Sequence, residues 1–311
     1  IEYSVEKVRV IMSSSTNYPQ LIQQFVQDEN LPESYEEDAR LWFLPLKDRL
    51  LNAIRSQPGT LQVIGINGAQ GTGKSTLAKL LQTLLQADGL SVVSLSIDDF
   101  YYSRETRQNL AKKIHPLLKS RGVPGTHDVT LANNTLDTLR TLSAIETLAL
   151  PEFDKATDEP VATAEWVGVS GPISLVILEG WFVGASPEDS AALDKPINSL
   201  EAEEDESGIW RQYINNKLAT EYQTLFSQIN ELVLLKAPNF EQVYEWRALQ
   251  EQKLKKERKT GAGLMNEAEL TRFIQQFERL TRHCLTSLPN RADVVLELDS
   301  NHRIHSSSLA G

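Results

Sequence analysis

The sequence predicts a doubly wound α/β fold built on a five-stranded, mainly parallel sheet, with a helical lid and a helical N-terminal extension. Three observations carry this. Five short apolar runs are nearly continuous rather than alternating, as in strands covered on both faces. Stretches with helical spacing lie between them. A glycine-rich segment, GINGAQGTGKST (65–76), follows the first run and opens a helix.

The elements follow in chain order. Residues 1–19, with a polar SSSTN stretch, are expected to be a disordered leader outside the fold. Residues 20–60 read as a helical extension, in which WFLPLKDRLLNAI (42–54) leads to the first strand. A nucleotide and acceptor core is expected over 61–238. Its strands are LQVIGI (61–66), SVVSLSI (91–97), ISLVILE (173–179) and ELVLLKA (231–237). Leu77, Leu80, Leu81, Leu84 and Leu85 form one helical stripe. Residues 98–172 are long for a single crossover, and the acidic 186–208 reads as a solvated loop. Residues 239–288 are expected to form a helical lid. Asn266 and Glu269 offer a capping box to its second helix, whose stripe is Leu270, Phe273, Ile274, Phe277, Leu280 and Cys284. The last strand, ADVVLELD (292–299), falls within 289–302, and 303–311 reads as a disordered tail. A single domain over 20–302 results.

Composition narrows the function. A net charge of -11 argues against a general nucleic-acid or anionic-membrane binder, so an anionic ligand needs a local basic cluster. One cysteine, Cys284, allows neither an internal disulfide nor a cysteine zinc site, which fits a reducing, cytoplasmic setting. No apolar run reaches membrane-spanning length and no signal-peptide pattern opens the chain. A monomer is the default expectation.

Gly68-Ala69-Gln70-Gly71-Thr72-Gly73-Lys74-Ser75 matches G-x-x-x-x-G-K-[ST] in full, with Thr76 next, between a strand and a helix. Glycines let the backbone turn tightly and aim its N–H groups at phosphate oxygens, and the helix start adds its positive end. Lys74 would reach the terminal phosphates of a nucleoside triphosphate, and Ser75 would place its hydroxyl on Mg²⁺. This makes the sheet one of the P-loop NTPase/kinase type. Motifs of guanine recognition (Asn216-Lys217 lacks the following aspartate), of transporter ATPases and of nucleoside-monophosphate kinases are missing from the sequence.

Two further strand ends carry carboxylates. Ser96-Ile97-Asp98-Asp99-Phe100-Tyr101 puts Asp98 where it could accept a proton from an attacking hydroxyl or help hold Mg²⁺; a helix cap is the alternative for the Asp pair. Glu179, in LVILEGW, occupies the matching end and could orient the metal or its water. Arg121-Gly122-Val123-Pro124-Gly125-Thr126-His127-Asp128 gathers a guanidinium, hydroxyl, imidazole and carboxylate able to grip a small polar substrate, or else simply joins two helices. Tyr101 joins Asp98, Arg121, Thr126, His127 and Asp128 in the candidate acceptor set.

These motifs (GINGAQGTGKST, SIDDFY, RGVPGTHD, PEFDKATDEP, LVILEGWFVG, PINSLEAEEDESGIWRQYIN and FEQVYEWRALQEQKL) together resemble the P-loop small-molecule kinases related to uridine kinase, phosphoribulokinase and pantothenate kinase, most closely the D-glycerate 3-kinase branch. The likeness covers roughly 20–302. It implies Asp98 as base or metal-proximal carboxylate, Glu179 as the second carboxylate, and Arg121, His127 and Asp128 around the acceptor. Related chains often carry a basic residue after the Y-D-K segment, where this one reads Ala156-Thr157-Asp158-Glu159.

Transfer of a γ-phosphoryl group calls for cations. Arg247 and Arg258 are candidates to swing onto the phosphates, from helices that flank Lys253, Lys255, Lys256, Lys259 and a Gly261-Ala262-Gly263 hinge. Trp246 reads as core, and the Asp299-Ser300-Asn301-His302 loop as close to the adenine by fold analogy. The resulting expectation is an Mg²⁺–ATP-dependent kinase of a small hydroxylated metabolite, D-glycerate by resemblance. The alternatives are a nucleoside, a pantothenate-like acid or a sugar as acceptor, or a non-catalytic ATP-binding regulator.

Overall fold

The computed structural model describes residues 16–257 and 266–309, and the side chains of all of these except 251–257. All five expected strands are present: β1 (Gln62–Gly68), β2 (Val92–Ser96), β3 (Leu175–Gly180), β4 (Glu231–Lys236) and β5 (Val294–Leu298). A sixth, β6 (Ile304–Ser307), extends the sheet, in the order β6-β5-β4-β1-β3-β2. β1 to β5 are mutually parallel, and β6 returns antiparallel to β5. β1 and β3 are buried along their whole length, which explains their unbroken apolar runs.

The longer helices are α1 (Tyr18–Asp28), α2 (Leu44–Ser56), α3 (Lys74–Ala87), α4 (Arg104–Lys113), α5 (Val129–Thr141), α6 (Ile209–Lys217), α7 (Phe240–Glu257) and α8 (Glu267–Ser287). The core lies in two layers. One joins α1, α2 and α3 with Ile64 and Ile66 of β1; the other joins α5, α6 and α8 with Val63 of β1 and Val176 of β3. Each of the α3 leucines in the expected stripe is buried, which contributes about 1.5–3 kcal/mol apiece.

Four expectations change. The tail does not begin at 303: Ile304 is buried and pairs with Leu298, and Arg303 donates to Asp38 at 2.9 Å and to Glu37 at 2.7 Å. The leader does not reach 19, because Asn17 caps α1 and Pro19 fits its first turn; residues 1–15 lie outside the described residues. The acidic segment is no solvated loop. Glu201 and Asp205 are buried, each paired with an arginine: Arg279 reaches Glu201 at 2.7 and 2.8 Å, and Arg211 reaches Asp205 at 3.0 Å. The expected lid is in part core, since Phe277, Leu280 and Cys284 of α8 pack into the main cluster. The Asn266–Glu269 capping box forms as expected.

Candidate active site

The sheet's C-terminal edge brings the candidate residues together. β1 runs straight into the glycine-rich loop, and α3 starts at Lys74. Gly71 and Gly73 adopt φ of 87° and 85°, the left-handed region that side chains disfavour. Trp246 of α7 leaves no room beside Gly71: a Cβ there would lie 3.0 Å from the Trp246 Cβ. The N–H groups of the first turn of α3 have no acceptor inside the helix, which leaves them to an anion.

Register sets the two carboxylates. Glu179 pairs with Ile66 of β1 on one side and Ser96 of β2 on the other, so all three strands end together. The Ser75 hydroxyl donates to Glu179 Oε1 at 2.8 Å, while Glu179 Oε2 is buried with no hydrogen-bond partner. A hydroxyl and a carboxylate with an unspent oxygen, beside a phosphate loop, suit a hard cation that keeps most of its waters, as Mg²⁺ does. Among the described residues no cluster of three or more His, Cys, Asp or Glu could by itself hold a metal, which leaves phosphate and water as the remaining ligands of any such ion.

Asp98 is the second residue of a short 3₁₀ turn (Ile97–Phe100) just past β2. The neighbouring Asp99 accepts from the Ser96 N–H and completes the capping box, so the cap falls to Asp99 and Asp98 is left for the cleft. Burial pushes Asp99 up to about 6. Asp98 accepts from Tyr101 Oη at 2.9 Å and from Lys155 Nζ at 2.6 Å. Burial alone would raise its pKa, but the charge and hydrogen bond of Lys155, with a smaller contribution from Lys74, outweigh it and hold the carboxyl below its ordinary range.

A cleft of about 430 Å³ opens above these groups. It is lined by Gln70, Gly71, Lys74, Asp98, Tyr101, Arg121 and Arg247, together with Lys155, Gly122, Trp181, Gln250, Phe273 and Phe277. That volume suits a small molecule. Arg247 lies over the Phe273 ring at 5.6 Å. Arg121 is ion-paired with Asp158. A smaller enclosed cavity behind Val123 and Trp210, of about 20 Å³, has room for a water and not for a metabolite.

The acceptor loop divides. Arg121 and Tyr101 reach the cleft, whereas Thr126, His127 and Asp128 do not line it. Thr126 donates to Val123 O at 2.6 Å and accepts from Gly122 N–H, shaping the loop from within. Asp128 caps α5 through the Leu131 N–H, which donates to its Oδ1 at 2.8 Å. His127 is buried behind Tyr101, stacked on it at 4.3 Å. Its Nδ1 shares a hydrogen bond with Tyr222 Oη at 2.7 Å, an oxygen that also accepts from the Gly125 N–H, and its Nε2 is buried with no hydrogen-bond partner. Burial drives His127 down to about 3.

Lys155 is a cleft residue that nothing local in FDKAT marks: it meets Asp98 across 57 residues of chain. Trp246 is buried as expected, donating to Ser300 O at 3.1 Å and stacking on His302 at 4.1 Å, so the 299–302 loop sits against α7. Arg258, Lys259 and Gly261–Gly263 lie outside the described residues, as do the side chains of Lys253, Lys255 and Lys256. Among the described residues no helix is long and apolar enough to cross a membrane.

A phosphate loop on a parallel sheet, with one carboxylate bonded to its serine and another in a cation-rich cleft, is the build of a P-loop phosphotransferase. The chain belongs to this kinase family. It is 35% identical over 240 residues to the uncharacterized kinase mug58 of Schizosaccharomyces pombe, covering 74% of this chain and 84% of that one. It is 28% identical over 222 residues to the chloroplastic D-glycerate 3-kinase of Arabidopsis thaliana, covering 69% of this chain but 46% of the relative. The fold matches that of a D-glycerate 3-kinase from Cryptococcus neoformans, with a TM-score of 0.68, 23% identity, and coverage of 84% of this chain and 96% of that structure. A family model described as methylmalonyl Co-A mutase-associated GTPase MeaB matches residues 42–103, the stretch around the phosphate loop.

Proposed function

We propose that the protein transfers the γ-phosphoryl group of ATP to a hydroxyl of a small carboxylated metabolite, with D-glycerate, giving 3-phosphoglycerate, as the first candidate. One observation carries this reading: Lys74, Asp98, Arg121 and Arg247 border a single cleft, and Ser75, next to Lys74, is hydrogen-bonded to Glu179. A pure ATP binder need not keep a carboxylate such as Asp98 in the cleft beside the phosphate loop. The excess of cations over carboxylates along the cleft favours an anionic acceptor over a sugar or nucleoside. The relatives named as D-glycerate 3-kinases add weight to glycerate in particular.

In this scheme the loop 68–76 holds the phosphates through backbone N–H groups, and Lys74 reaches the terminal ones. Ser75 and Glu179 would hold Mg²⁺, which when bound offsets phosphate charge. Asp98 orients the acceptor hydroxyl and takes its proton as the O–P bond forms. Tyr101 keeps the carboxylate aimed. Arg247 and Arg121 add positive charge around the transferring group and the acceptor. Thr126, His127 and Asp128 support the acceptor loop from behind.

The test is ATP consumption with and without D-glycerate in the presence of Mg²⁺, with the product identified by mass. Glycerate-dependent formation of phosphoglycerate supports the assignment. ATP binding without glycerate dependence rules out glycerate and moves the search to other hydroxy acids.

A further inference from the structure

Both oxygens of Asp98 are occupied, by two donors of very different character. Tyr101, on Oδ1, is buried, stacked on His127 and packed edge-on against Phe153. It has nowhere to go. Lys155, on Oδ2, has a side chain 59% exposed on a flexible four-carbon stem. Of the two donors, only Lys155 can yield its place to an acceptor hydroxyl.

The backbone that carries Lys155 is built to stay put. Asp154 accepts from the Ala156 N–H at 2.8 Å and the Thr157 hydroxyl at 2.7 Å, closing a tight turn. The turn ends at Asp158, which holds a left-handed φ of 61°. Such a conformation persists where its surroundings impose it. Here Arg107, itself buried, reaches the Asp158 carboxylate at 2.9 Å and its carbonyl at 3.0 Å, and Arg121 pairs with the same carboxylate. Arg121 also donates to the Lys155 carbonyl at 3.3 Å. The anchoring fixes the Lys155 backbone beside the cleft and leaves its ammonium able to swing.

We infer that Lys155 selects the class of acceptor: it binds the anionic end of a short hydroxy acid whose hydroxyl rests on Asp98, exchanging one carboxylate for another. The inference builds on the reading of Asp98 as the group that meets the acceptor hydroxyl. A neutral polyol gives Lys155 no new partner and leaves it paired with Asp98. A hydroxy acid supplies both the hydroxyl and the replacement anion. Because Lys155 Nζ starts 2.6 Å from Asp98 Oδ2, an acceptor whose carboxylate lies a few ångström from its reacting hydroxyl meets both groups with little movement of the lysine, which favours short hydroxy acids. Arg121, held on Asp158 and on the Lys155 carbonyl, is less free to move onto the acceptor.

The test uses the full chain, as wild type, Lys155→Met and Lys155→Arg. Binding of D-glycerate, glycolate and lactate is measured by calorimetry with a β,γ-imido analogue of ATP present, and turnover is measured on D-glycerate and glycerol. Lys155→Met is expected to weaken hydroxy-acid binding and raise the glycerate KM by about 10- to 100-fold, the worth of one charge-assisted hydrogen bond. Affinity for the ATP analogue stays unchanged, the preference for glycerate over glycerol shrinks by the same factor, and Lys155→Arg restores part of it. Undiminished glycerate binding by Lys155→Met overturns the inference, as does an equal loss of turnover on both acceptors, which is what a purely structural role gives. A wild type that phosphorylates a neutral acceptor but binds none of the three acids overturns Lys155 and leaves the kinase reading standing. A wild type that binds the acids through Lys155 but phosphorylates none of them overturns the kinase reading and supports Lys155.

Discussion

The Ser75 hydroxyl donates to Glu179 Oε1 at 2.8 Å, tying the first turn of α3 to the end of β3 across 104 residues of chain. The second oxygen of Glu179 is left buried and unpartnered. A buried carboxylate with half its capacity unused is costly unless something else claims it.

Glu179→Gln keeps an oxygen for Ser75 and removes the charge. The apparent Mg²⁺ affinity in ATP turnover is expected to fall about 10- to 100-fold, with thermal stability unchanged or slightly raised. A Mg²⁺ titration at fixed ATP measures it, and an unshifted midpoint would place the metal elsewhere.

Asp98→Asn is expected to lower kcat by roughly 10²–10⁴-fold while ATP affinity holds. In the free enzyme Asp98 has a lowered pKa, because its cationic neighbours outweigh burial, so it stays ionised to lower pH than an ordinary carboxyl. The active form is the ionised one. The acid limb of kcat/KM due to Asp98 should therefore lie below the usual carboxylate range, and a limb well above it would point to another group.

His127 stays neutral in the fold down to about pH 3, whereas an exposed histidine protonates near 6.5. Between those two values the unfolded chain binds the extra proton, so stability rises with pH, by up to about 1.4 kcal/mol per unit. His127→Gln should flatten that dependence in denaturant unfolding between pH 4 and 6.5 (about the window the two pKa values bracket), leaving stability above 7 as the measure of packing lost.

Gly71→Ala meets two obstacles at once: a left-handed φ of 87° and the Trp246 Cβ at 3.0 Å. A backbone cost of about 1–2 kcal/mol is expected, together with a loss of ATP affinity larger than any loss of thermal stability. Calorimetric ATP binding beside a melting curve separates the two.

The sheet was legible because burial on both faces writes itself into the chain as continuous apolar runs, and the phosphate loop because its chemistry is local. β6 was not: Ile304-His305-Ser306-Ser307 carries one apolar residue, and its strand character comes from pairing with β5. The acceptor loop was half legible. Asp128 ahead of Val129 and Leu131 is an N-cap signal that the motif's functional look obscured. The Lys155–Asp98 and His127–Tyr222 contacts span 57 and 95 residues and have no local signature at all.

Trp246 packs its Cβ against the phosphate loop at Gly71 and its ring against His302, with its indole N–H fixed on Ser300. An indole held so close to where phosphates would arrive is an optical probe already in place. Its emission should respond to nucleotide before any turnover occurs, giving a stopped-flow signal that times ATP arrival separately from chemistry.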